Sequence, residues 1–265
     1  MRSISALLLL ATLPTQSSGA PDGFQVDVFS DKVQNATAIC FDSKGRLYVT
    51  ETFRWRKGVE DNRDHTYWIM DDLAADTTAD RVAYYTKYAA EKLGDPDYFT
   101  KESERVVLLE DPDGDGVAAP PRVFAEGFSA PEDGPAIGLL ADEGRILMAS
   151  VPHIWELQDE DGDGISEARR KLISGLGIKT SLSGHDLHGL IWGPDGKLYF
   201  TLGDRGYNVT TREGKVLKNT NSGAAFRCDP DGSNLELFYH NLRNPQEIAF
   251  NEYGDLFTVD NNCDQ

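Results

Sequence analysis

The sequence predicts an all-β fold, a β-propeller interrupted by one helical insertion, and two interleaved repeats carry that prediction. In the first repeat an apolar run, a turn and an alternating run recur at residues 39–50, 137–149, 187–202 and 248–259, with turn glycines at 45, 144, 196 and 254. In the second, Leu109-Glu-Asp-Pro-Asp-Gly-Asp-Gly116 and Leu157-Gln-Asp-Glu-Asp-Gly-Asp-Gly164 stand in register 48 residues apart, and Arg227-Cys-Asp-Pro-Asp-Gly-Ser233 is a shortened copy. Two hairpins per period make about four strands, and a period of about 40–50 residues with four strands is the mark of a propeller blade. The 25 Gly and 12 Pro suit a turn-rich β protein.

The chain opens with Met1-Arg2-Ser3, an apolar run over residues 4–13, and small residues at Ser18 and Ala20. This order reads as a secretory signal peptide over residues 1–20, which leaves a propeller domain at 21–265 that is exported to the periplasm or beyond the cell. The apolar run is shorter than the about 20 residues that span a bilayer. A net charge of −18 argues against nucleic acid and anionic membrane surfaces as partners. Cys40, Cys228 and Cys263 form no C-x-x-C pair, and an odd count leaves one thiol over whatever pairing forms.

Turn glycines 144, 196 and 254 are 52 and 58 residues apart, but 45 and 144 are separated by 99, so an insertion or a missing copy lies between them. The insertion falls at about 53–104. It starts on Arg54-Trp55-Arg56-Lys57 and continues into a helix whose Val82, Tyr85, Ala89 and Leu93 share one face. Thr77 or Thr78 would cap that helix, and Gly94 would end it. About four blades are then visible. The chain stops at Asn261-Asn262-Cys263-Asp264-Gln265 with no closing element, as a fragment of a longer propeller would.

Three constellations carry chemistry. Asp159, Asp161, Asp163 and Glu167 place hard oxygen ligands at positions 1, 3, 5 and 9 of a tight loop, as Ca²⁺ requires, although the twelfth position is Arg170. Asp111, Asp113 and Asp115 repeat the pattern with Ala119 in ninth place. A cation held in either loop would be structural. In Gly184-His185-Asp186-Leu187-His188-Gly189, His185 is a candidate general base. Asp204, at the exit of the same hairpin, would orient it. His188 offers a second imidazole for a metal, without a third ligand beside it. In Asn241-Leu242-Arg243-Asn244-Pro245, Arg243 precedes its strand as His185 precedes its own, so in a propeller the two would share a pocket. The guanidinium would stabilise developing negative charge.

The run His185-x-x-x-Gly189-Leu-Ile-x-Gly193-Pro-Asp-Gly-Lys-Leu-Tyr-Phe-Thr-x-Gly203-Asp204-x-Gly206, with Leu242-Arg-Asn-Pro-Gln246-x-x-Ala-Phe, resembles the glucose/sorbosone dehydrogenase family. That family consists of six-bladed propellers using pyrroloquinoline quinone (PQQ). The resemblance implies His185 as catalytic base, Asp204 as its orienting acid, and Arg243 and Asn244 on the quinone and substrate. Asn261 and Asn262 fall where the family contacts cofactor and calcium. Gly184 replaces a substrate-binding Asp of glucose dehydrogenases, which points away from glucose. The run Glu51-Thr-Phe-Arg-Trp-Arg-Lys-Gly-Val-Glu-Asp-Asn62, the two Asp-Gly-Asp-Gly loops and Asp260-Asn-Asn-Cys-Asp-Gln265 are similar to the propeller of PVC-type membrane-bound dehydrogenase proteins, in which a C-x-x-C-H haem domain often follows. The implied activity is a quinoprotein oxidoreductase acting on a sugar or other alcohol, with a downstream haem c domain as electron acceptor. The alternatives are a calcium-dependent propeller hydrolase or lactonase, and a non-catalytic propeller binding glycans or partners.

Overall fold

A computed structural model describes residues 23–142 and 144–261. The signal-peptide reading at 1–20, Asn262 and Cys263 lie outside the described residues. The first sheet contains β1 (Ala36–Phe41), β2 (Leu47–Glu51), β3 (Glu104–Leu109) and β4 (Arg122–Phe128), paired in that order. The second repeats it with β5 (Ala136–Asp142), β6 (Arg145–Ser150), β7 (His153–Gln158) and β8 (Ala168–Ser174). The third runs β9 (Leu187–Trp192), β10 (Leu198–Leu202), β13 (Gly223–Cys228) and β14 (Glu236–Leu242), with a separate hairpin, β11 (Tyr207–Thr210) and β12 (Val216–Asn219), between its second and third strands. A final pair, β15 (Pro245–Phe250) and β16 (Leu256–Asp260), starts a fourth repeat. All pairings within these sheets are antiparallel, and β1, β5, β9 and β15 lie side by side as the inner strands. Consecutive antiparallel meanders arranged about their first strands make a β-propeller.

The blades hold together through residues that alternate along each central strand. In β6, Ile146 and Met148 join Tyr48, Leu108 and Phe124 of blade one, while Leu147 and Ala149 join Leu187, Phe200 and Phe226 of blade three. Successive side chains of a strand point to opposite faces, so a strand sandwiched between blades reads as a continuous apolar run. Each such Leu, Ile or Phe contributes about 1.5–3 kcal/mol by leaving water. The four-residue turns carry the glycine anchors, and Gly45 takes φ +78 because the turn demands a left-handed residue there.

The long gap between the first two anchors is an insertion, not a missing copy. It joins β2 to β3 and contains α1 (Ile69–Ala74) and α2 (Thr78–Glu91). Thr77 caps α2, accepting from Asp80 N while the Asp80 side chain accepts from Thr77 N. The buried face differs from the expected one. Arg81, Tyr84, Tyr85, Tyr88 and Ala89 are buried, whereas Val82 and Leu93 are half-buried, because Trp68 and Phe99 form the wall against which the tyrosines stack. Arg54, in the most basic run of the sequence, is fully buried and donates to the carbonyls of Phe99, Ala130 and Asp133. Glu104 closes the base of the insertion, accepting from Thr52 Oγ1 and Arg54 N on one oxygen and from Ala136 N of blade two on the other. Among the described residues Cys40 and Cys228 form no disulfide.

His153, at the start of β7, is buried and bonded through Nδ1 to Ser174 Oγ at 3.0 Å. Burial, aided by Lys171 and Arg81, pushes its pKa down to about 3. An unfolded chain would protonate this side chain near pH 6.5. Below that value the unfolded state therefore binds the proton that the folded state refuses, and stability falls as pH drops from about 6.5 toward 3. Urea unfolding at pH 7 and pH 4 checks this: the loss on acidification should be about 2–3 kcal/mol smaller in His153→Gln than in the parent.

Candidate functional site

The β9–β10 hairpin returns the chain to the end from which it left, which brings His185 beside Asp204. His185 Nδ1 lies 2.8 Å from Asp204 Oδ1. The approach depends on Gly203, where a Cβ would fall 2.6 Å from the carbonyl carbon and oxygen of His185. His185 is 6% exposed. Burial of Asp204 works to raise its proton affinity, but the hydrogen bond and charge of His185, the Ser181 hydroxyl at 3.0 Å and the charge of Arg243 outweigh it. They hold the carboxyl below the usual carboxylate range. An ionised Asp204 accepting from Nδ1–H selects the tautomer with a bare Nε2. Nε2 has no hydrogen-bond partner among the described residues.

The next repeat supplies the cation by the same geometry. Arg243 and Asn244 precede β15 as His185 precedes the neighbouring β9. Asp260, at the exit of the β15–β16 hairpin, accepts from Arg243 N at 3.0 Å and Asn244 N at 2.7 Å. Arg243 Nη1 donates to the Asn261 carbonyl at 2.7 Å, and among the described residues no carboxylate lies within ion-pair distance of the guanidinium. Its charge reaches Asp204. Asn244 is 2% exposed, and its Oδ1 has no partner among the described residues. His185, Asp204, Arg243 and Asn244 thus gather at one end of the sheets, with the Asn261 backbone beside them. Among the described residues His188 joins no cluster of metal-ligating groups, and its Nε2 bonds the Gly184 carbonyl at 3.3 Å.

Several residues behind the site were not singled out in the sequence. Asp186 and Arg205 are both fully buried and pair at 2.7 Å. The Arg205 guanidinium also donates to the carbonyls of Lys179, Thr180 and Leu182. From the other side the insertion grips the same segment. Asp72 accepts from Thr180 N at 2.6 Å, Asn62 N donates to the Ser181 carbonyl at 3.0 Å, and Asp61 accepts from Ser183 N and Oγ at 2.9 and 2.7 Å. The hairpin register sets Asp204 opposite His185 and Gly203 opposite Asp186, so Arg205 reaches Asp186 on a diagonal that the register alone does not specify. Nothing local pointed to the contacts across more than a hundred residues.

The acidic clusters are elsewhere. The Asp159, Asp161, Asp163 and Glu167 oxygens lie within 4.8 Å of one another, as do those of Asp111, Asp113 and Asp115. Both loops join the third and fourth strands of their blades, at the same end as the turn glycines and opposite to His185. Asp159 already accepts from the Gly162 and Gly164 amides, which pre-shapes the loop around its carboxylate. A cleft of 610 Å³ lies between α2, blade two and β11, and is lined by His153 and Ser174. A histidine that titrates at about 3 is too weak a base for proton abstraction at neutral pH, so the His185 end is the stronger candidate for chemistry.

Removing Arg205 strands the Asp186 carboxylate without its counter-charge and frees three carbonyls. Arg205→Met should cost about 3–5 kcal/mol in urea unfolding, the range for breaking one side of a buried ion pair.

The fold resembles solved structures only loosely. Luciferin-regenerating enzyme matches at 9% identity and a TM-score of 0.39 over 86% of this chain. The nidogen/laminin complex matches at 16% and 0.26 over 59%, and a protein of unknown function from Bacteroides caccae at 12% and 0.27 over 57%. The chain spans 53%, 66% and 60% of those three chains. No curated protein matches the sequence. Residues 15–265 match a family described as a domain of unknown function, DUF7133, and the chain belongs to that family.

Proposed function

We propose that the protein is an exported quinoprotein-type oxidoreductase that oxidises a sugar or other alcohol at the His185 end of the propeller. The observation that carries the reading is the pairing of His185 Nδ1 with Asp204, which leaves Nε2 as acceptor, while the charge of Arg243, which has no carboxylate partner among the described residues, reaches Asp204. Nε2 takes the proton of the substrate hydroxyl, and Asp204 stabilises the imidazolium that forms. Arg243 stabilises negative charge that develops on oxygen. The residues present fit a quinone carrying carboxylates and ring N–H: the Arg243 guanidinium would donate to a carboxylate, and the buried Asn244 Oδ1, without a partner among the described residues, would accept from an N–H. PQQ, when bound, supplies the two-electron acceptor for the hydride leaving the carbinol carbon. A haem c domain would be a fitting next acceptor.

Ca²⁺ enters the proposal as a staple of the Asp159, Asp161, Asp163, Glu167 loop, and more weakly of the Asp111, Asp113, Asp115 loop, at the far end from the reaction. Added Ca²⁺ should raise the melting temperature of the parent and leave that of Asp161→Asn nearly unchanged.

Dye reduction by the purified protein with PQQ and Ca²⁺, across a panel of sugars and alcohols, tests the activity. Turnover with at least one substrate is expected, with a fall of about 10²–10⁴-fold in His185→Ala. Silence across the panel, or full activity in His185→Ala, would overturn the proposal.

A further inference from the structure

We infer that Ser181 is a positioning residue for the His185–Asp204 pair, and that the helical insertion holds it in place. This rests on the reading of His185 as a base, and the test below observes the pair itself rather than turnover. Ser181 adopts φ +50, a left-handed conformation that a non-glycine residue keeps only when its surroundings impose it. The surroundings are visible. Asn62 N donates to the Ser181 carbonyl. Asp72 and Asp61 fix Thr180 and Ser183 on either side, and Arg205 takes the carbonyls of Thr180 and Leu182 from behind.

The imposed twist puts Ser181 Oγ 3.0 Å from Asp204 Oδ1, the same oxygen that lies 2.8 Å from His185 Nδ1. A carboxylate oxygen has two lone pairs. With one directed at Ser181, the other is directed at the imidazole, so the ring orientation is set from outside the hairpin that carries it. The insertion thereby acts on the site without lending it a reacting group. The charged groups around the pair are Arg243 from the neighbouring hairpin, and Asp186 and Arg205 behind it; burial lowers the pKa of the neighbouring His188 and favours its neutral form.

Ser181→Gly and Ser181→Ala separate the hydroxyl from the backbone. Both remove Oγ, but glycine accepts the left-handed backbone and alanine keeps its strain. In both variants the Asp204 carboxyl, followed by ¹³C NMR, should titrate about half a unit or more above the parent, since a hydrogen bond to its charged form is gone. The His185 ring nitrogens should also lose the ¹⁵N signature of a fixed Nδ1–H. The melting temperature should hold or rise in Ser181→Gly and fall in Ser181→Ala. Parent-like Asp204 and His185 signals in Ser181→Gly, or a change confined to Ser181→Ala, would overturn the inference. An inactive His185 reading would show separately, as turnover unaffected by His185→Ala while the NMR changes persist.

Discussion

The candidate site depends on one buried ion pair, Asp186 with Arg205. Two opposite charges with no solvent exposure survive only if each is nearly satisfied by neighbours. Arg205 meets that condition by gathering three backbone carbonyls from residues 179–182 as well as the carboxylate. The result is a rigid floor for the segment that enters β9. Because Asp186 follows His185 and Arg205 follows Asp204 in the chain, anything that shifts the pair shifts the dyad.

The propeller repeat explains why the polar groups collect at one end. Every blade exposes its first-to-second and third-to-fourth turns at one end, and its strand entrances and second-to-third connections at the other. Two of the three complete blades expand that second-to-third connection, blade one with the helices and blade three with the β11–β12 hairpin. Both additions rise at the His185 end, while the acidic loops lie at the opposite end. Asn208 of β11 donates to the Asp76 carbonyl next to α2, so the two additions touch. A face built from such connections has freedom to vary without disturbing the blade cores.

Much of this organisation was legible before folding is considered. Register between the two Asp-Gly-Asp-Gly loops and the spacing of the turn glycines specify which strands pair, since antiparallel meanders follow chain order. The shared position of His185 and Arg243 before equivalent strands follows from the same repeat. The buried face of α2 was misjudged because helical spacing allows neighbouring stripes. Trp68 and Phe99, brought in by tertiary packing, decide among them. The β11–β12 hairpin was missed although Tyr207-Asn-Val-Thr and Val216-Leu-Lys-Asn flank Gly214 with strand-like residues, because no other blade repeats it.

The sequence by itself determined the blade repeat, the ends at which His185, Asp204 and Arg243 emerge, and the placement of the acidic loops, because period and turn chemistry are local properties. Only the tertiary structure decided that Asp61, Asn62 and Asp72 of the insertion grip residues 180–183, that Ser181 is bent onto Asp204, and that Arg54 is buried rather than exposed. Those outcomes depend on hydrogen bonds between segments up to a hundred or more residues apart, for which neither spacing nor composition carries a signal.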